Sequence, residues 1–240
     1  KGLSTLSDFD KAIEIEWLIT NSLGGYASST VLGINTRKYH GLLVAAFNPP
    51  VDRWVVLTKL DEEIQIGKES YFIGANEFRH GIQPEGYQFL NEFLLEPFPT
   101  YKYDVHDVEF RKTIFMPNEK NATVVLYDVS NPHEESVSVR VSPLVNSRHF
   151  HAVTEKDSLN WKFVQKPSEH ETTIQPSAPL STLILFSSDG KYFLSKGEWV
   201  EEMYHRVDDS RGESCLDDNF QPGWFEFGVS PKRRKKFYVL

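Results

Sequence analysis

Apolar and polar residues alternate with a period of two along much of the chain, the spacing of strands that bury one face. Ser136 to Val141 is the cleanest case, with Val137, Val139 and Val141 on one face and Ser136, Ser138 and Arg140 on the other. Ala12 to Thr20 sets Ile13, Ile15, Trp17 and Ile19 against Ala12, Glu14, Glu16 and Leu18, which predicts a strand over this range. Two hairpins are predicted, one turning at Gly67-Lys68 between Ile64/Ile66 and Tyr71/Ile73, the other at His106-Asp107. The runs 121–131 and 180–195 add further strands, the second turning at Asp189-Gly190. Helical spacing recurs only over Glu198 to Arg211, through Trp199, Met203 and Val207, and the Asp residues there weaken it. Strands this closely spaced, with turn residues between them, predict a sandwich: one large antiparallel β-domain over residues 1–240, with few short helices. No repeat, linker or low-complexity stretch divides it.

The pattern has one oddity. Over Ile34 to Ala46, "INTRKYHGLLVAA", the apolar run Leu42 to Ala46 is ordinary buried strand, yet Asn35, Arg37, Lys38, Tyr39 and His40 lead into it with Gly41 alone between. Polar groups at the head of a core strand must be paired with something. Read as one strand from Asn35 to Ala45, the stretch puts Asn35, Arg37 and Tyr39 on one face and Lys38 and His40 on the other. Two roles are open: a rim whose donors meet a ligand or partner, or a scaffold in which Arg37 and His40 satisfy backbone carbonyls.

Composition narrows the classes. The 240 residues are 40% hydrophobic and 25% charged, enough for a sizeable core, and the formal charge of −8 steers the chain away from nucleic acid. The short basic run Lys232 to Lys236 reads as a solvated linker or sheet edge. A single cysteine, Cys215, excludes an internal disulfide framework and fits a reducing, cytoplasmic setting. No run reaches membrane-spanning length and no secretory signal pattern opens the chain, so neither a membrane nor nucleic acid is expected as a partner. Lys1 is not an initiator Met and "KKFYVL" ends on an apolar run, so the polypeptide is expected to continue.

Known chemical motifs are scarce. "SLGGYASST" has paired glycines but neither the Lys-Ser/Thr nor the helix of a phosphate loop, and reads as a turn. His149 and His151 would share a strand face, but the stretch supplies no third or fourth metal ligand, so neither metal nor cofactor is expected. The adjacent acids Asp61-Glu62-Glu63, Asp208-Asp209 and Asp217-Asp218 read as solvated faces or turn caps. Aromatics are abundant, with 17 Phe, 10 Tyr and 5 Trp, beyond what a core of this size needs. Beside Asn, Arg and His they suit carbohydrate, because flat apolar faces meet C–H groups while fork donors bridge hydroxyls. The same rings also suit core packing or a partner domain.

Several blocks together resemble a known family. "EWLITNSLGGYASSTVLGINTRKYHGLLVAAFNPPVDRWVVLTKLDE" is similar to the start of the N-terminal domain of archaeal and bacterial glycogen debranching enzymes of the amylo-α-1,6-glucosidase type. Ser22 and Ser29 stand where that family usually has glycine. "IQPEGYQFLNEFLLEPFPTYKY", "TIFMPNEKNATVVLY", "PLVNSRHFHAV" and "DDNFQPGWFEF" carry the likeness along nearly the whole chain. The resemblance implies a β-supersandwich of the galactose-mutarotase-like type found as the N-terminal domain of many glycosidases. It also implies that the catalytic carboxylates lie in a following α/α-toroid domain. The chain would then be non-catalytic, helping to bind glycogen or another branched α-glucan and bracing its own C-terminal catalytic domain. On this reading the substrate-binding or domain-interface residues are Asn21, Tyr26, Asn35, Arg37, Tyr39, His40, Glu85, Arg148, His149 and His151. The alternatives are a stand-alone carbohydrate-binding module and an aldose-epimerase-like sandwich enzyme in which His149, His151 and Glu85 converge.

Overall fold

The computed structural model describes residues 6, 8–158, 162–177 and 182–240. In chain order its strands are β1 (Glu16–Thr20), β2 (Tyr26–Thr30), β3 (Gly41–Asn48), β4 (Val51–Ile66), β5 (Glu69–Phe72), β6 (Ala75–Phe78), β7 (Gly81–Glu85), β8 (Leu90–Leu94) and β9 (Thr100–Val105). There follow β10 (Val108–Phe115), β11 (Val124–Asn131), β12 (Val137–His149), β13 (Phe163–Pro167), β14 (Glu171–Pro176), β15 (Leu183–Phe186), β16 (Lys191–Tyr204), β17 (Leu216–Val229) and β18 (Arg233–Val239). Two short α-helices, α1 (Phe9–Ala12) and α2 (Arg206–Ser210), and two 3-10 turns, Gly86–Phe89 and Lys156–Ser158, complete the regular structure among the described residues.

The fold is an antiparallel β-sandwich. Its main sheet runs β1-β2-β3-β4-β12-β17-β16, with β5 paired to β4 beyond the bulge region. The facing layer is the five-stranded sheet β18-β11-β10-β9-β8, extended by β13-β14-β15. These two pieces join where Phe186 and Leu240 exchange backbone hydrogen bonds of 2.8 and 2.9 Å. Between the layers Phe227 stacks on Phe237 at 3.7 Å, and Trp17 Nε1 donates to the Tyr101 hydroxyl at 2.6 Å. A small separate hairpin, β6–β7, lies against β16.

The period-two expectations hold where packing is two-sided. Val137, Val139 and Val141 are fully buried on β12, and both predicted hairpins form with their turns at 67–68 and 106–107. His106 and Asp107 adopt φ of 49° and 69°, the left-handed pair that a tight hairpin requires. The chain also turns at Asp189-Gly190, but its two arms join different sheets; Leu180 and Ser181 lie outside the described residues.

Three expectations are corrected. Ala12 to Ile15 is not strand: Asp8 caps α1 by accepting from Lys11, and the chain straightens only at Glu16. Glu198 to Arg211 is strand β16 as far as Tyr204 and helix only from Arg206, because β17 offers β16 a ladder along its length. The stretch from Asn35 to Ala45 is not one strand, because β3 begins at Gly41 and residues 34–40 form a loop. The basic run at 232–236 enters β18, where Arg234 is held by Asp128 at 2.6 and 2.8 Å. No described helix is long and apolar enough to cross a membrane.

Candidate functional site

The loop 34–40 carries five successive carbonyls with no sheet to receive them, and each has its own donor. Asn35 O faces His205 Nδ1 at 3.3 Å, and Thr36 O accepts from Val207 N at 3.1 Å. Arg37 O accepts from His40 N at 3.0 Å, Lys38 O from the Arg148 guanidinium at 2.8 Å, and Tyr39 O from the Tyr26 hydroxyl at 2.7 Å. The amide of Thr36 donates to His40 Nδ1 at 3.1 Å, and that of Lys38 to the Asp208 carboxylate at 2.6 Å. A loop this fully partnered is held as firmly as a strand.

The anchors belong to a buried polar cluster. Arg148 reaches Asp217 at 3.0 Å and the Ala152 carbonyl at 2.8 Å; Asp217 also accepts from Thr154 N at 2.7 Å. Burial pushes the Asp217 carboxyl up, yet Arg148 and His205 outweigh it and hold the group below its ordinary range. Asp208 and Asp217 are completely buried, and Glu62 nearly so, paired with Lys112 at 2.6 Å and accepting from Tyr127 at 2.7 Å. These three acids are therefore neither solvated faces nor simple turn caps. Burial pushes the Tyr26 hydroxyl up to about 12 despite Arg148 and Arg53, so it keeps the proton it donates to Tyr39 O.

What this framework leaves facing outward is a band of rings at one end of the sandwich. Tyr39 meets Phe150 and His151 edge-on, at 5.6 and 5.5 Å between ring centroids, and its hydroxyl lies 3.1 Å from His151 Nδ1. His149 packs edge-on to Trp54 at 5.8 Å, and Trp54 against Phe47 at 6.4 Å. Arg53 lies over Phe150 and donates to Gly24 O at 2.6 Å, tying in the "NSLGG" turn. Arg37 is half-buried and bonds Glu16 at 2.5 Å, while His40 Nε2 approaches the same oxygen at 3.5 Å. Because His40 Nδ1 accepts from Thr36, Nε2 carries the proton and points it at Glu16. The His40 contact, with help from Arg37, overcomes burial and lowers the Glu16 carboxyl to about 2. Burial also lowers His40, which is therefore neutral at pH 7.

The ten residues singled out from sequence divide sharply. Tyr39, His149 and His151 come together at this rim, with Arg37 beside it. Tyr26, Asn35, His40 and Arg148 stand behind it as supports, and the exposed faces do not include them. Asn21 is buried and holds the neighbouring 119–121 turn, donating to Lys120 O at 2.9 Å and Asn121 at 3.1 Å. Glu85 lies elsewhere, paired with Ala75 next to the stretch that bonds Glu62, while His149 pairs with Trp54. Trp54 and Glu62 stand eight residues apart on β4, about 26 Å of extended strand. His149, His151 and Glu85 thus do not converge. Among the described residues no group of three or more His, Cys, Asp or Glu is placed to hold a metal ion.

Arg53, Trp54 and Phe150 belong to the rim but were not singled out from sequence. Their signal was available in "PPVDRW" and "RHFH", where large polar-tipped or aromatic side chains sit next to turn residues at strand ends.

A band of half-exposed rings edged by guanidinium and imidazole groups can stack on C–H faces and donate to hydroxyls. Comparison with known proteins bears on what it meets. The sequence model of a family described as "Glycogen debranching enzyme N terminal" matches residues 15–236. No curated protein matches the chain. Among solved structures, a polysaccharide lyase aligns over 78% of this chain and 25% of its own length, at 13% identity and a TM-score of 0.35. This chain spans about a quarter of that protein, and a likeness so low carries no weight here.

Proposed function

From the premise that this chain belongs to the glycogen debranching enzyme N-terminal family, we propose that it is a non-catalytic domain serving a catalytic domain beyond it. Its rim helps to hold a branched α-glucan and braces the α/α-toroid that carries the reacting carboxylates. Hydrolysis of an α-1,6 linkage needs one carboxyl to protonate the leaving oxygen and another group to activate water, close to one bond. Among the described residues the buried acids Asp208, Asp217, Glu62, Glu77 and Asp128 are each committed to partners of their own.

The observation that carries the reading is the division of labour in loop 34–40. Five carbonyls are bound from behind, and the Tyr39 ring is left at a surface with His151, His149 and Trp54. A loop needed only to enter β3 would not require Arg148, Asp208 and Asp217 to be buried for its sake. The stand-alone binding module shares this rim, but a module that works alone must bind well by itself. The test is to incubate the pure chain with branched dextrin and with maltooligosaccharides. No glucose release and affinity no better than millimolar are expected; steady release, or micromolar affinity, contradicts the proposal.

A further inference from the structure

Away from the rim, a concavity of about 320 Å3 opens where the β6–β7 hairpin overhangs the main sheet. That is within the size range of small-ligand pockets. Its rings come from two elements: Phe72 of β5, 54% exposed, and the hairpin pair Phe78 and His80, stacked at 5.5 Å and 15°. Gln83 from the hairpin and Ser142 and Gln221 from the sheet line it as well, and none of the three makes a side-chain hydrogen bond with another described residue. Two amides and a hydroxyl are therefore available to a ligand.

The hairpin is fixed, so the groove is formed in advance. Glu77 takes Arg206 in a fork of 2.6 to 2.9 Å, and Lys59 donates to Ala75 O at 2.6 Å and Asn76 at 2.8 Å. The carboxylates in the floor each have a cation within reach, one of them shared. Asp61 is paired with Lys59 at 3.1 Å and accepts from Asn76 at 2.7 Å. Glu63 lies 3.9 Å from Arg140, which also bonds Glu226 at 3.2 Å. No Lys or Arg lines the groove among the described residues, so an anion would meet carboxylates and no cation free to receive it. A purely apolar ligand would strand the amides. Rings, free amides and hydrogen-bond-accepting carboxylates suit a neutral ligand with many hydroxyls and apolar C–H faces.

We propose that this groove binds a neutral hexose unit of a polysaccharide, as a second glucan contact remote from the rim. The hexose class follows from the groove; its being part of an α-glucan rests on the family reading above. Ser142 pairs with Asp61 and His149 with Trp54, so the two places are seven residues of β4 apart, about 23 Å. A chain of several sugars, or two branches of one glucan, can engage both, and the linked contacts would raise affinity without either being strong.

Titration of the 240-residue chain with maltotriose, with cellotriose as the neutral β-linked control, tests the proposal by calorimetry and by NMR of the Phe78 and His80 environment. Saturable millimolar binding of maltotriose is expected. Phe78→Ala or Gln221→Ala should each raise Kd about ten-fold, the scale of losing one ring or hydrogen-bond contact, at unchanged melting temperature. Arg37→Ala, at the rim, should leave the maltotriose-induced NMR shifts of Phe78 and His80 unchanged. Saturation by cellotriose alone would uphold the hexose site and remove the α-glucan reading. Failure of both sugars to saturate, or a Kd that moves with Arg37→Ala and not with either groove variant, overturns the site.

Discussion

Arg37 and Arg148 are two arginines with opposite duties. Arg148 is buried with Asp217, and its donors go to Asp217, Ala152 O and Lys38 O. Removing it strands a buried carboxylate and two carbonyls, so Arg148→Met should destabilise the domain by about 3–5 kcal/mol, read as an earlier urea midpoint. Arg37 is a quarter exposed and bonds only Glu16, itself more exposed, so Arg37→Ala should cost no more than about 1 kcal/mol in the same unfolding curve. Equal losses at the two positions would contradict this division. Glu16 and His40 also set an acid limit. His40 is lowered by burial, so the unfolded chain binds its proton first, and stability begins to fall as pH drops through the unfolded value of 6.5. Glu16 is lowered from 4.5 to about 2, so its contribution, present above pH 4.5, is lost between those two values. Glu16→Gln should flatten the lower part of the stability–pH curve; an unchanged slope below pH 4.5 would show that the contact contributes nothing.

Loop 34–40 and the "NSLGG" turn are the elements that make the rim. Gly24 has φ of +96°, and a Cβ there would lie 2.4 Å from the Pro50 carbonyl oxygen. Both the conformation and the contact exclude a side chain, so Gly24→Ala should displace the 49–53 turn and cost at least about 1 kcal/mol, with Arg53 losing its Gly24 acceptor. A melting curve superposing on the parent would contradict the close approach. The β-hairpins and the Val137–Val141 alternation were legible because neighbouring strands and the core enforce period two. Loop 34–40 was not, because beside its Arg37–His40 backbone turn it is shaped by a side chain, His40 Nδ1 accepting from Thr36 N, and the flanking Gly33 and Gly41 do not by themselves separate a loop from a strand. Likewise Asp208 and Asp217 read as surface acids because their partners, Lys38 N and Arg148, lie far away in sequence.

At the scale of the molecule, two facing β-layers hold a polar-backed rim at one end of β4 and a ring-lined groove beneath the β6–β7 hairpin. The family resemblance carried by "NTRKYHGLL" and the blocks after it pointed to this sandwich. It did not separate the residues that face outward from those that support them, since that depends on which donor each carbonyl of loop 34–40 finds. The central claim is that this support exists so that the rim can serve something beyond the domain. If, as proposed, the chain is part of a longer debranching enzyme, its most direct test is the rate of branched-dextrin hydrolysis by that enzyme carrying Tyr39→Ala with His151→Ala, beside the melting curve of the same variant. Hydrolysis reduced about ten-fold or more, with melting shifted by no more than a few degrees, is the predicted result. Hydrolysis that keeps pace with the parent per folded molecule, or that falls only as the domain unfolds, would contradict it.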